Sequence, residues 1–121
     1  MSEAARLDPG TLHALTASVG EDRAFVADVI GVFLADAPGL LDQMAGAARD
    51  GDAALLRRLA HGLKSNAASL GAMRMAGLLR DLEGRAAAGA ASTEAELVAC
   101  CREELDAVAP LLAAHAGGPR G

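Results

Sequence analysis

Aromatic residues are almost absent: Phe25 and Phe33 stand alone, with no Trp or Tyr in 121 residues. A core must then come from Leu, Ala, Val and Met, and all of these except Val are strong helix formers. Alternating β-branched and polar runs bounded by turn signals are also missing, which argues against a sheet and predicts an all-α domain with closely approaching helices. Basic charge is scarce. Eleven Lys and Arg against 16 Asp and Glu leave a net −5, the wrong sign for a nucleic-acid backbone or an anionic membrane. Cysteine is limited to the adjacent Cys100 and Cys101. Their place in a helical pattern argues against a disulfide framework and fits a reducing compartment. Residues 1–7 carry no apolar leader, and no run approaches the ~20 apolar residues of a bilayer span. A soluble, cytoplasmic product is expected.

What is present is helix punctuation. The length suits one domain, with an ordered core at about 8–115 and flexible ends at 1–6 and 117–121. Asp8-Pro9 starts a short helix that Gly20 stops. A second helix runs from Glu21 to about Asp36 with Phe25, Val26, Val29, Phe33 and Leu34 as its stripe, and Pro38 ends it. A third opens at Pro38, buries Leu40, Leu41, Met44, Ala47 and Ala48, and closes at Asp50-Gly51. Asp52 caps the fourth, which carries Leu55, Leu56, Leu59, Leu63 and Leu70 to Gly71. Met73 to about Ala88 is the fifth, with Met75, Leu78, Leu79 and Leu82 inward and Asp81 and Glu83 on wet faces. After a loop at 89–92, Thr93 and Glu96 have capping-box spacing. The last helix buries Leu97, Cys101, Leu105, Val108 and Leu112, with Pro110 kinking its end. Short joints favour antiparallel neighbours. The expected fold is an up-and-down antiparallel four-helix bundle with short additional helices at the N-terminal end.

One constellation carries chemistry. On a helical wheel with His61 at zero, Leu56, Leu59, Leu63 and Leu70 fall within about 40° of the opposite pole, so His61 faces water. Ala54, Arg57, Lys64, Ser65 and Ala68 fall within about 60° of His61. Two of these are cations and three are small. Lys64 is the only lysine in the chain. A neutral imidazole is a nucleophile near physiological pH, and a phosphoryl group on it adds about two negative charges that Lys64 and Arg57 would offset. Small neighbours would let a bulky protein donor approach in line. Metal binding is not supported, because Lys64 and Ser65 are not ligands at i+3 and i+4. Arg58 reads as a solubilising charge, and His13 and His115 as ordinary histidines without partners. Cys100 and Cys101 read as stripe-edge and stripe residues, and Met73 and Met75 as packing.

The run Ala60-His61-Gly62-Leu63-Lys64-Ser65-Asn66-Ala67-Ala68-Ser69-Leu70-Gly71-Ala72, followed by Leu78, Leu82 and Glu83, resembles the histidine-containing phosphotransfer (HPt) domain signature. That signature has the form A-H-x-L-K-G-S-A-x-x-x-G-A followed by a leucine-rich stretch ending in L-E. Leu7-Asp8-Pro9, the segment from Phe33 through Pro38, and Gly51-Asp52 are also familial in order and spacing. The resemblance implies a phosphorelay intermediate without kinase or ATPase activity of its own. His61 would accept a phosphoryl group from a receiver-domain aspartyl phosphate, on a response regulator or a hybrid sensor histidine kinase, and give it to another receiver aspartate. Lys64 would stabilise the phosphate charge, and Arg57, Ala54, Ser65 and Ala68 would meet the partner. No cofactor is implied for this chain, since the receiver supplies Mg²⁺. Ser65 departs from the glycine common at that position but is small enough to keep the ring accessible. A different class of function, a helical adaptor that binds receivers without carrying phosphate, would be expected to lose the histidine or block its face. Neither loss is present. A monomer is expected.

Overall fold

The computed structural model describes residues 6–88 and 91–116. Five helices follow in order: α1 (Pro9–Ser18), α2 (Arg23–Asp50), α3 (Ala53–Ser69), α4 (Met73–Ala88) and α5 (Ala91–Ala116), with no strand among the described residues. Helices α2 to α5 each pack on two neighbours, α2 on α3 and α5, and α4 on α3 and α5. That closed ring is the all-α four-helix bundle expected from the short joints. One short helix, α1, rests against α2 and α3. Of the ends expected to be flexible, 1–6 and 117–121, all but Arg6 lie outside the described residues, as do Gly89 and Ala90 of the expected loop.

Carboxylate caps set the helix starts. Asp8 accepts from the Gly10 amide at 3.1 Å and from Thr11 Oγ1 at 2.9 Å, with Pro9 in the first turn. Asp22 and Asp52 accept from the Phe25 and Leu55 amides at 2.9 and 3.1 Å. Each satisfies a donor that the first turn cannot pair internally. After α3, Gly71 adopts φ +81°, and its carbonyl accepts from the Asp8 amide at 2.8 Å. A Cβ there would stand 2.6 Å from the Asp8 carbonyl oxygen and 3.1 Å from Thr11 Cβ. Glycine is therefore required twice over, by backbone conformation and by close approach. This contact ties the chain before α1 to the end of the His61 helix.

Pro38 does not divide the second and third expected helices. It lies inside α2, a single helix of 28 residues. An interior proline costs about 3 kcal/mol. Against it, Ile30, Phe33, Ala37, Leu41 and Met44 form one buried stripe that runs through the proline. Burying each large member contributes roughly 1.5–3 kcal/mol, so packing outweighs the missing hydrogen bond. The merger has a second consequence: by length and composition alone, α2 is apolar enough to cross a membrane, against the expectation that no such run exists.

The stripe also differs from the sequence reading at its start, where Phe25 is exposed, Val29 and Leu34 are half-buried and Ile30 is inside. Elsewhere Leu40, Leu55, Leu59, Leu78 and Leu97 only flank the core, and Val98 takes the buried place expected of Leu97. Helix α5 already runs at Ala91, which puts Thr93 inside the helix and not at its cap. Cys101 is buried, and burial pushes its thiol up to about 12, as for a packing residue. Buried Glu104 accepts from Arg6 Nε at 3.2 Å and forms an ion pair with Arg74 Nε at 3.3 Å, while its Oε2 takes no hydrogen bond among the described residues. Arg102 pairs with Asp42 across α5 and α2.

Candidate functional site

Helix α3 turns Leu56, Ala60, Leu63 and Ala67 inward, and this fixes the opposite face outward. His61 lies on that outer face with its side chain 62% exposed, as the wheel requires. The ring is nonetheless held. Its Nδ1 stands 2.8 Å from Oε2 of Glu83, which α4 brings alongside α3. Lys64, one turn along α3, donates from Nζ to Oε1 of the same carboxylate at 2.6 Å. Glu83 is thus a bridge, with one oxygen for the imidazole and one for the ammonium.

Electrostatics follow from that arrangement. The hydrogen bond from Lys64, opposed in part by desolvation and reinforced by the bond to His61, holds the Glu83 carboxyl below its usual value of 4.5. At neutral pH it is an anion that only accepts hydrogen bonds. Nδ1 therefore carries the hydrogen it donates to Glu83, and Nε2 is the remaining nitrogen of a largely exposed side chain. An imidazole with a defined donor nitrogen results. Lys64 was expected as an exposed charge; it is instead half-buried at 26% exposure because the carboxylate draws it against α4.

The remaining expected positions separate. Ala54, Arg57 and Ser65 are exposed on the His61 side, while Ala68 is half-buried against the core. Arg57 forms no ion pair with a described residue, and Arg58 is likewise exposed. Met75 is buried as expected, but Met73 is exposed. His13 and His115 do have a partner, namely each other, with ring centroids 6.4 Å apart. Glu83 is the member of this constellation that sequence reasoning missed. It was placed on a wet face, although the signal was present as the final residue of the leucine-rich L-E stretch.

A bundle that presents one oriented imidazole to solvent, backed by a carboxylate and an ammonium, defines the class of helical carriers that act through an exposed histidine. The Hpt domain family model matches residues 28–110, and the chain belongs to that family. Among solved structures, it is similar to the crystal structure of histidine-containing phosphotransfer protein B from Pseudomonas aeruginosa PAO1. The two share 25% sequence identity and a TM-score of 0.83 over 98% of this chain and 100% of that one. No curated protein matches the chain.

Proposed function

We propose that the protein is the histidine phosphocarrier of a two-component phosphorelay and that His61 is the residue that carries the phosphoryl group. The observation behind this reading is the pairing of Nδ1 with Glu83 at 2.8 Å on a ring that is 62% exposed. It leaves Nε2 as the reacting atom. Family membership supplies the class of chemistry, and the tautomer supplies the atom.

In the forward step the Nε2 lone pair attacks the phosphorus of a receiver aspartyl phosphate. The N–P bond forms, the acyl O–P bond breaks, and the aspartate carboxylate leaves with the electron pair. No proton needs to move, because Nδ1 keeps its hydrogen and the ring becomes cationic beside the Glu83 anion. Glu83 is thus a positioning residue that also neutralises the charged product. The phosphoryl group brings about two negative charges, and the Lys64 ammonium is the nearby cation that offsets them. The reverse step delivers the group to a second receiver aspartate. Small or exposed neighbours, Ala54 and Ser65 among them, leave room for the donor, and Arg57 faces its acidic rim. Partners are response-regulator receivers, a hybrid sensor histidine kinase, or both. Mg²⁺ belongs to the receiver, and the protein works as a cytoplasmic monomer with no ATP chemistry of its own.

The test mixes purified protein with phosphorylated receiver domains of the same organism and scores acid-labile, base-stable phosphate, with His61→Gln alongside. Label on the wild type and none on the variant is the expected result. Receiver binding without label on the wild type would instead make the protein an adaptor.

A further inference from the structure

A second cluster of titratable groups lies away from α3 and α4. A cavity of about 330 Å³ is lined by His13 and Thr16 of α1, Glu21 of the following turn, Arg23 at the start of α2 and His115 near the end of α5. Three helices thus bring two imidazoles and a guanidinium to one place. None of these three side chains forms an ion pair with a described residue. Thr16 gives its hydroxyl hydrogen to the Leu12 carbonyl at 2.8 Å, so the side-chain donors left to the cavity are the rings and Arg23. A guanidinium fork and imidazolium N–H groups suit the oxygens of an oxyanion.

Ring spacing separates an anion from a metal. With a ring nitrogen about 1.1 Å from its centroid, an oxygen accepting from both rings at about 2.8 Å and a roughly tetrahedral angle sets the centroids about 6.4 Å apart, whereas a shared Zn²⁺ at about 2.05 Å sets them about 5.2 Å apart. The observed separation is 6.4 Å, which fits the oxygen. Among the described residues no group of three His, Cys, Asp or Glu side chains could hold a metal ion. Charge gives the ligand its valence. The groups facing His115 are His13 from α1, Glu21 from the turn and Arg23 from α2. With both imidazoles neutral, Arg23 and Glu21 cancel; with both protonated, three cations and one carboxylate leave a net +2. Burial first, then His13 and Arg23, hold the His115 ring below its usual 6.5, and a bound dianion opposes all three causes. We infer that this cavity is a proton-dependent site for a small phosphate dianion, free or as a phosphomonoester, held by Arg23 and by the imidazolium forms of His13 and His115. A phosphomonoester keeps much of its second charge down to about pH 6, so ligand and rings are charged together in mildly acidic solution. Glu21 weakens the site at neutral pH, where the rings no longer outnumber it. The site stands apart from His61 and does not rest on the phosphocarrier reading.

The chain has three histidines, so each ring can be followed separately by NMR across a pH titration. Sulfate is the first probe, because it keeps both charges throughout, with chloride at matched ionic strength as the reference. His13 and His115 are expected to titrate at higher pH in sulfate than in chloride, with His61 unmoved. Sulfate affinity read from the His115 signal should fall by about tenfold or more between about pH 5.5 and about pH 7.5 as the bound protons leave. Arg23→Gln is expected to weaken binding by about tenfold at the acidic end. Glu21→Gln should tighten it and carry it closer to neutrality, a gain that a merely structural role for the turn would not give. Arg58→Gln, exposed on α3, should leave it unchanged. Inorganic phosphate and phosphoserine, compared at about pH 6, separate the two sources: tighter phosphoserine binding assigns an ester, and equal or weaker binding assigns the free ion. Circular dichroism confirms that each variant is folded. The inference is overturned if His13 and His115 respond to sulfate as they do to chloride, if all three rings shift alike, or if Arg23→Gln behaves like Arg58→Gln. It is equally overturned if Glu21→Gln weakens binding, or if Zn²⁺ shifts the His13 and His115 signals and sulfate does not.

Discussion

Two histidine settings in this bundle show what makes one imidazole useful. His61 is exposed and bonded to an anion, Glu83, which fixes Nδ1 as the donor. His13 and His115 are set against each other and near Arg23, in a cavity of about 330 Å³ lined also by Thr16 and Glu21. Burial, reinforced by His13 and Arg23, pushes His115 below its usual 6.5. The first imidazole thus faces an anion, while the second is discouraged from charging by burial and by basic neighbours. Burial and the sign of the neighbours together set the two apart.

The largest effect that could break this comparison comes from His61→Gln. Phosphate transfer should vanish while the helical circular dichroism signal stays, because the side chain lies outside the core. Residual label at wild-type level would move the carrier role to another residue. Ser65→Phe comes next, since a ring one turn from Nε2 stands where the donor must approach. A loss of about 100-fold in transfer rate is expected in stopped-time labelling, and full activity would show that access lies on another flank.

Glu83→Gln sharpens the contrast further. The amide can still accept from Nδ1 but cannot neutralise the cationic product, so transfer should slow on the order of tenfold. It also carries a pH signature. A carboxyl held below 4.5 by its partners binds fewer protons in the folded state than in the unfolded one. Its contribution to stability is present above pH 4.5 and is lost as pH falls through the lowered folded value. Thermal melts of wild type and Glu83→Gln should therefore differ near neutrality and converge in acid. Parallel curves throughout would contradict the bridge between Lys64 and His61.

Smallest is the His115 setting. A base whose folded value lies below 6.5 contributes stability above that pH and loses it as pH falls through the lowered value. His115→Asn should flatten the melting temperature of the protein between pH 7 and acid by a few degrees at most, with label transfer unaltered. A transfer defect in that variant would tie the distant pair to the reaction.

How much of this was legible in the sequence depends on the range of the interaction involved. Outward placement of His61 follows from leucine spacing within a single helix, and so did the clustering of Lys64 and Ser65. Asp8, Asp52 and Gly71 announced helix ends through local backbone needs. Glu83 was hidden because it is 22 residues from His61, and only the packing of α4 on α3 decides that it points at the ring and not at water. The same packing withdraws Lys64 from solvent. Pro38 misled because a local stop signal was outweighed by a stripe whose members, Ile30 and Leu41 among them, lie on both sides of it. Phe25 misled in the opposite way: its apolar character suggested core, yet the bundle leaves it exposed.

The central claim is that Glu83 fixes the tautomer and so selects the atom that carries phosphate. Nitrogen-15 NMR of the His61 ring, before and after labelling by a phosphorylated receiver, tests it directly. The expected spectra show hydrogen on Nδ1 in the free protein and phosphorus coupled to Nε2 afterwards, with the tautomer preference reduced in Glu83→Gln. Phosphorus coupled to Nδ1, or a free ring with hydrogen on Nε2, would contradict the account.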